Sequence, residues 1–160
     1  MAWSTPATWV AGIPTVANFN ERIRDQFNAL GDPWTSYTPA WTGSGSNPAI
    51  GNGTLAGKYR QIGKSIDYEI NILMGSTTTF GSGTYSFSLP VTASASVSYH
   101  PMGWGIVRDG GAAPLVRFPT FSSTTTVLLI DVAGTIVAAT VPFTFANTDR
   151  IIIAGQYEAA

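Results

Sequence analysis

The sequence lacks cysteine and is poor in charge. None of its 160 residues is Cys, and Asp, Glu, Lys and Arg together make up 11% of them, against roughly 25% in an average soluble domain. Without cysteine, disulfides, thiolate nucleophiles and cysteine-based metal sites are excluded. The net charge is −1, so we expect no basic field that would collect nucleic acid or an acidic membrane surface.

Long apolar runs and a secretion signal are also missing. No run approaches the roughly 20 apolar residues that a spanning helix needs. The longest apolar-rich segment, residues 127–141, is interrupted by Asp131, Gly134 and Thr135. The chain does not open with a basic region followed by an apolar one. We therefore expect no membrane partner.

The charge that is present is unevenly distributed. Between Glu69 and Arg108, 38 consecutive residues carry no charged side chain. Thr, Ser, Gly, aromatic and aliphatic residues fill this stretch instead. Exposed faces must then be made of small polar residues or be buried between subunits. This composition favours a rigid structural protein that packs against copies of itself.

An amphipathic helix is predicted near the start of the chain. Five apolar residues recur at spacings of 3, 4, 4 and 3 and so form one helical stripe: Val16, Phe19, Ile23, Phe27 and Leu30. Thr15 is a suitable N-cap, Gly31 suits the C′ position, and Pro33 prevents continuation. A helix of about 16 residues is marginal in water on its own, so its stripe must pack against the rest of the chain, sister helices or a larger particle. We predict an N-terminal arm with this helix over residues 1–33 and a separate domain over residues 34–160.

The rest of the chain is mainly β. Its clearest strand is Ser65–Met74, where apolar and polar residues alternate. Short strands joined by Gly-rich turns predict a two-sheet antiparallel β-sandwich of jelly-roll type. The predicted strands are Tyr37–Thr42, Thr54–Ile62, Ser65–Met74, Thr84–Leu89, Ala93–Tyr99, Gly103–Arg108, Leu115–Phe118, Thr125–Val132, Ile136–Val141 and Ile151–Tyr157.

Two carboxylates resemble a catalytic pair. Asp67 and Glu69 lie two residues apart on a predicted strand, about 6.6 Å between Cα atoms, which is near the separation that inverting glycosidases use. They lie on the face opposite the apolar residues, where Lys58 and Arg60 of the neighbouring strand can pair with them. We interpret them as part of a solvated face.

No other pattern indicates catalysis or a cofactor. His100 is the one histidine, and neither a catalytic partner nor a set of metal ligands accompanies it. Residues 51–56 match G-x-G-x-x-A, but a strand and not a helix follows, so we interpret them as a turn. We therefore predict a protein that is not an enzyme and has no cofactor.

The aromatic residues have two interpretations. Exposed aromatics stack on sugar rings, whereas buried ones fill cores and subunit interfaces. We assign most of them to packing. Trp104, which Gly103 and Gly105 flank, is the best candidate for an aromatic that faces a ligand.

Several segments resemble known phage proteins. The N-terminal part resembles the start of small bacteriophage virion proteins, where a TWVAG…LN…IRD…NAL pattern forms a short attachment or trimerising helix. Later segments resemble β-domains of tail fibres and head-decorating proteins, mainly from phages of high-GC Gram-positive bacteria. The resemblance covers roughly residues 8–93 and 149–160, and 94–141 match nothing. The segments that carry it are Thr8–Gly12, Val16–Asn20, Ile23–Leu30, Tyr37–Gly43, Gly51–Tyr59, Ile62–Lys64, Phe80–Tyr85 and Ser88–Val91.

This resemblance implies a homotrimer on the surface of the virion, without enzyme activity or cofactor. Phe19 and Phe27 stand where the family more often has Leu, so the stripe is bulkier here. We expect a capsid decoration or head spike protein that contacts the major capsid or tail proteins. The alternative is a tail-fibre or tail-tip module that binds a host cell-wall glycan through exposed aromatics and the loops 43–53 and 75–83.

Overall fold

The computed structural model describes residues 15–19, 24–31, 33–95, 103–131 and 133–160. Within these ranges, two short helices precede nine strands. The helices are α1 (Val16–Phe19) and α2 (Asp25–Gly31). The strands are β1 (Thr35–Tyr37), β2 (Trp41–Gly43), β3 (Thr54–Ile62), β4 (Ser65–Leu73), β5 (Tyr85–Ser88), β6 (Gly103–Arg108), β7 (Leu115–Ser123), β8 (Thr126–Ile130) and β9 (Arg150–Glu158).

The two helices lie at the ends of the predicted helix. α1 begins at Val16, and α2 ends at Gly31. Pro33 follows two residues later and has no backbone N–H that could donate a helical hydrogen bond. Residues 20–23, including Ile23 of the stripe, lie outside the described residues. The continuity of the helix between α1 and α2 therefore stays a prediction.

The strands pair in one continuous, curled antiparallel sheet, whereas the sequence predicted two stacked sheets. Their order is β1-β3-β4-β9-β6-β7-β8-β5-β2. β7 links the two halves of this order, because its first residues pair with β6 and its later residues pair with β8. The register shifts between Phe121 and Ser123, and such a bulge increases the local bend of the sheet.

The two edge strands are neighbours in sequence. Only residues 38–40 separate β1 from β2, although these strands form opposite edges of the sheet. The Tyr37 hydroxyl donates to the Ser88 carbonyl at 3.5 Å, and the Ala40 N–H donates to Ser88 Oγ at 2.8 Å. The sheet therefore curls so far that its β1 edge lies against Ser88 of β5, the strand beside the opposite edge. The single strand predicted over Tyr37–Thr42 is two strands, because Pro39 has no N–H for a ladder.

The β3–β4 hairpin confirms the strongest sequence prediction. Gly63 begins its two-residue turn with φ 60°, a conformation that glycine adopts without strain. Every second residue of β4 is fully buried, and the polar residues between them face outward. The buried residues of β4 are Ile66, Tyr68, Ile70 and Ile72.

β9 completes the core because it lies between β4 and β6. Ile151 and Ile153 are fully buried, and the Tyr157 ring packs edge-on against Tyr68 with centroids 5.6 Å apart. Across the core, Gly105 of β6 lies so close to Leu129 that a Cβ at Gly105 would be 2.6 Å from Leu129 Cδ2. Burying one aliphatic side chain of this size contributes about 1.5–3 kcal/mol, so these inward residues are the main stabilising group.

Two predicted strands are wrong or only partly described. Ile136–Val141 forms isolated bridges instead of a strand, because the chain turns at Asp131, whose Oδ1 accepts from the Ala133 and Thr135 N–H groups at 2.9 Å each. Ala93 of the predicted Ala93–Tyr99 strand makes an isolated bridge to Ala159. Residues 96–99 lie outside the described residues.

Candidate functional site

The stripe residues whose side chains the structure describes, Val16, Phe27 and Leu30, are exposed in the single chain. Val16 is 78% exposed, Phe27 is 67% exposed and Leu30 is 47% exposed. Phe19 is the last residue of α1, and Ile23 lies outside the described residues. Each such side chain gains about 1.5–3 kcal/mol when it is removed from water. The stripe is therefore available for contact with another polypeptide.

Trp104 lies on the outer face of the sheet. It is opposite Ala154 of β9 and is 48% exposed. The preceding Gly103 has φ 143°, and a Cβ there would collide with the backbone of Ala154 and Gly155. The close approach of β6 to β9 thus requires glycine at position 103. This approach fixes the Trp104 ring on the outer surface, where the sequence placed a ligand-facing aromatic.

Aliphatic residues surround Trp104 on the same face. Ile106 follows it on β6 and is opposite both Ile152 of β9 and Val116 of β7. Val116 is 57% exposed, while Ile106 and Ile152 are half-buried. Exposed apolar patches of this kind mark interaction sites in soluble proteins. We call this surface the Trp104 face.

Sequence reasoning found Trp104 but missed the aliphatic residues around it. Ile106, Val116 and Ile152 come from three strands, and only the register of β7, β6 and β9 brings them together. Val116 follows Leu115, which is exposed as well, at 39%. Leu115 and Val116 are both aliphatic, so the start of β7 does not alternate between apolar and polar residues. The sequence therefore does not show which of the two side chains faces outward.

The Asp67 and Glu69 carboxylates are paired with cations, as predicted. Glu69 Oε2 lies 2.9 Å from Lys58 Nζ, and Asp67 Oδ2 lies 2.8 Å from Arg60 Nε. The Gln156 amide also donates to Asp67 Oδ1, at 3.1 Å. Each carboxylate is therefore held by a basic residue of β3. These two ion pairs agree with the interpretation of Asp67 and Glu69 as part of a solvated face.

Trp34 covers these ion pairs at the edge of the sheet. Lys58 Nζ lies 5.2 Å from the centroid of the Trp34 ring, and Arg60 Cζ lies 5.7 Å from it. Cations at this distance interact with the electron-rich ring face. The Trp34 side chain is 42% exposed, so its ring lies against both cations while remaining accessible.

The two loops proposed for ligand binding pack against each other. The bridges Ser46↔Ser82 and Ala49↔Thr79 join residues 44–53 to residues 75–84. Asn52 Oδ1 accepts from the Thr77 N–H and from the Thr77 hydroxyl, both at 3.0 Å. A Cβ on Gly51 would collide with the Thr77 backbone. The loops therefore form a rigid, uncharged surface rich in hydroxyl groups.

Buried tyrosines form the polar part of the interior. The Tyr157 hydroxyl donates to the Val91 carbonyl at 2.7 Å and accepts from the Val91 N–H at 3.2 Å. The fully buried Tyr68 hydroxyl has no hydrogen-bond partner among the described residues. Burial raises the pKa of Tyr68 and Tyr37, and nearby tyrosines raise it further. These groups stay protonated at neutral pH and have no charge with which to bind a ligand.

Neither a metal centre nor a membrane helix is found in the part of the chain that the structure describes. No group of three or more His, Cys, Asp or Glu residues there is arranged to hold an ion. His100, for which the sequence indicated neither a catalytic partner nor a set of metal ligands, lies outside that part. None of the described helices has the length and apolar character to cross a bilayer.

Comparison with known proteins gives a distant similarity. The chain is similar to the "Mu-like prophage FluMu defective tail fiber protein" of Haemophilus influenzae, with 26% identity over 155 residues. The match covers 91% of this chain but 22% of that relative, so the chain spans less than a quarter of its length. No family model matches the chain, and no solved structure matches it.

The similarity supports a phage structural protein, which is the coarser part of the resemblance noted in the sequence. Because it covers 91% of the chain, it is not confined to the N-terminal helical segment. The surfaces described above fit such a protein. They comprise three exposed apolar residues of the helical segment, an apolar sheet face and a rigid pair of loops.

Proposed function

We propose that this protein is a non-enzymatic structural component of a bacteriophage tail fibre. The observation that carries the proposal is the match of 91% of the chain to a tail fibre protein. The charge-poor sheet domain supports it, because few ionisable groups are available for chemistry. A head decoration or head spike protein, which the sequence favoured, is the competing placement on the particle.

We further propose that copies associate through the helical segment. The exposed side chains of Val16, Phe27 and Leu30 would be buried between copies, with Phe19 and Ile23 completing the stripe. Each 100 Å² of apolar surface buried this way contributes on the order of 2.5 kcal/mol before the entropic cost of association. The resemblance noted in the sequence implies three copies.

The placement is tested on purified phage particles. The chain is tagged at its C-terminus in the phage genome and located with gold-labelled antibody by electron microscopy, with untagged phage as the control. We expect a few tens of copies or fewer, at the tail fibres. Hundreds of labels on the head would favour the decoration protein. Particles without any label would overturn both placements.

The association is tested by changing the stripe. Because Phe27 and Leu30 are exposed, the double variant Phe27→Ser/Leu30→Ser should keep its fold and lose the contact. We expect the wild type to sediment at a multiple of three times the chain mass of 16.9 kDa, since other contacts can join trimers, and the double variant at a lower mass. The control is Asn28→Ser, an exposed polar position on the same helix. A monomeric wild type would contradict this part of the proposal.

The non-enzymatic part has its own test. Wild type and Asp67→Ala/Glu69→Ala are incubated with host cell-wall polysaccharide, and released reducing ends are measured. We expect no release by either protein. Hydrolysis by the wild type that disappears in the double variant would show that the carboxylate pair is catalytic.

A glycan-binding module is the second candidate function, and the exposure of Trp104 favours it. The rigid loops 44–53 and 75–84 would offer hydroxyl groups at a second surface. A glycan array comparing wild type, Trp104→Ala and Trp34→Ala tests the idea, with Trp34 as the matched exposed tryptophan. Binding that only Trp104→Ala loses would support the module, and no binding to any glycan would count against it.

A further inference from the structure

The outer face of β9 carries opposite charges at its two ends. Its outward side chains are, in order, Arg150, Ile152, Ala154, Gln156 and Glu158. From Arg150 to Glu158 the strand spans about 27 Å, at roughly 3.4 Å per residue. Both end residues are exposed, and no ion pair joins either of them to another described residue. The middle of this strand belongs to the Trp104 face.

The positive end carries two arginines side by side. Arg108 of β6 is the direct register partner of Arg150, and like charges at such positions are destabilising. Arg108 Nε donates to the Ala112 carbonyl at 3.2 Å, so a neutral carbonyl, not a carboxylate, is its hydrogen-bond partner there. A carboxylate supplied from outside the chain would relieve the repulsion.

We propose that the Trp104 face is a contact between two copies of this chain. The two sheets pack face to face about a twofold axis that lies in the interface, perpendicular to β9 at Ala154. This operation reverses the strand direction. It places Arg150 of each copy opposite Glu158 of the other, and it brings the two Trp104 side chains together at the centre.

The charge pattern selects a second copy as the occupant. An isologous contact needs a surface that is complementary to itself. The outer face of β9 meets this requirement, because the twofold axis places the positive end of one copy opposite the negative end of the other and the two apolar centres together. An anionic polymer or membrane would need a face of one sign. The flanking Lys58–Glu69 and Arg60–Asp67 pairs are already neutralised, so the ends of β9 keep the unpaired charge. Lys64 lies in a shallow cleft with Glu158 without an ion pair between them.

The composition of the face also fits an interface centre. Trp is enriched among the residues that dominate binding energy, and such residues lie at the middle of an interface with polar residues around them. Trp104, Ile106, Val116 and Ile152 supply this centre. A standard contact buries about 800 Å² on each side, so the charged ends of β9 fall within its footprint.

This contact uses other residues than the helical stripe, and its test is independent of where the protein lies on the particle. The whole chain carrying Phe27→Ser/Leu30→Ser is used as the background, so that the contact through the helical stripe is weakened and association through the sheet face can be measured. Its mass is measured by analytical ultracentrifugation over a concentration series. We expect a dimer, and a strictly monomeric background protein would overturn the proposal.

Charge reversal then tests the orientation. In that background, Arg150→Glu and Glu158→Arg each place like charges together and should raise the dimer Kd by about tenfold or more. The double variant Arg150→Glu/Glu158→Arg has the composition and net charge of the background protein and should restore the dimer. Single variants without effect, or a double variant that stays dissociated, would overturn the antiparallel contact.

The centre of the face is tested with Val116→Asp, which should abolish the dimer while the circular dichroism spectrum stays unchanged. If Arg150→Glu disturbs the fold, Arg150→Gln removes the charge with less change and should still weaken the dimer. If another particle protein binds the Trp104 face instead, the background protein should be folded and monomeric. That outcome would also count against a second copy as the occupant.

Discussion

Asp149 Oδ1 accepts a hydrogen bond from the backbone N–H of Gly110 at 2.8 Å. The other carboxylate oxygen accepts from the Ala146 N–H at 2.7 Å, and the residue is 1% exposed. A single buried carboxylate therefore joins the turn between β6 and β7 to the loop that enters β9. It fixes the end of the sheet at which Arg108 and Arg150 lie.

Replacing this carboxylate should destabilise the fold. In Asp149→Asn, an NH2 group takes the place of one acceptor and faces a backbone donor, which leaves a buried N–H unpaired. We expect the free energy of unfolding to fall by about 1–3 kcal/mol, measured by urea unfolding. Asp109→Asn is the control, because Asp109 is exposed in the same turn and should change little. Equal midpoints for the two variants would contradict the role of Asp149.

Two buried tyrosines should respond in opposite ways to loss of the hydroxyl. The Tyr68 hydroxyl is buried without a partner among the described residues, so Tyr68→Phe should leave stability unchanged or raise it. Tyr157→Phe removes both hydrogen bonds to Val91 and should cost about 1–3 kcal/mol, because it leaves buried backbone groups unpaired. Thermal unfolding of the two variants side by side measures the difference. A larger loss in Tyr68→Phe would mean that its hydroxyl has a partner.

Stability should fall at alkaline pH. Burial raises the pKa of Tyr85 and Tyr157 to about 12, from an ordinary value near 10. The folded chain keeps both phenols protonated while the unfolded chain ionises. Their contribution is therefore complete below about pH 10 and is lost between about pH 10 and 12. Urea unfolding at several pH values should show this decline, and Tyr85→Phe/Tyr157→Phe should show a shallower one. A wild-type free energy of unfolding that does not change between about pH 10 and 12 would contradict the raised pKa values of the two tyrosines.

The glycine before Trp104 should tolerate no side chain. Gly103 has a positive φ, and a Cβ would collide with the β9 backbone, so Gly103→Ala should lower stability by about 1–3 kcal/mol. The control is Gly63→Asn, since Gly63 also has positive φ but has nothing within 4 Å of its Cβ position, and Asn accepts that conformation. Chemical denaturation compares the two. Similar losses for both would mean that φ alone, and not the approach of β9, determines the residue at position 103.

Local patterns predicted the parts of the fold that local physics determines. The β3–β4 hairpin follows from two alternating segments and a Gly-Lys turn, and its bounds were predicted to within one residue. β6 was predicted with the bounds observed. The position of β9 between β4 and β6 could not be predicted, because the pairing joins segments far apart in sequence and depends on core packing. The Trp104 face could not be predicted for the same reason.

The edge strands show how one residue can invalidate a prediction made from composition. Tyr37–Thr42 has the composition of a strand, yet Pro39 divides it between two edges of the sheet. The helical stripe is the reverse case: its spacing predicts one helical face, whose continuity stays a prediction, and the sequence gives no partner for that face. Exposure of these three residues shows only that the sheet of the same chain does not cover them.

The short link between β1 and β2 has a mechanical consequence. The N-terminal segment enters the domain at β1, and β2 follows after residues 38–40, so tension applied through the helices reaches both margins of the sheet almost at once. The load is shared between the β1–β3 and β2–β5 ladders, each with three residue pairs. An anchor tethered at this junction pulls on both edge ladders, and neither ladder has to bear the force alone.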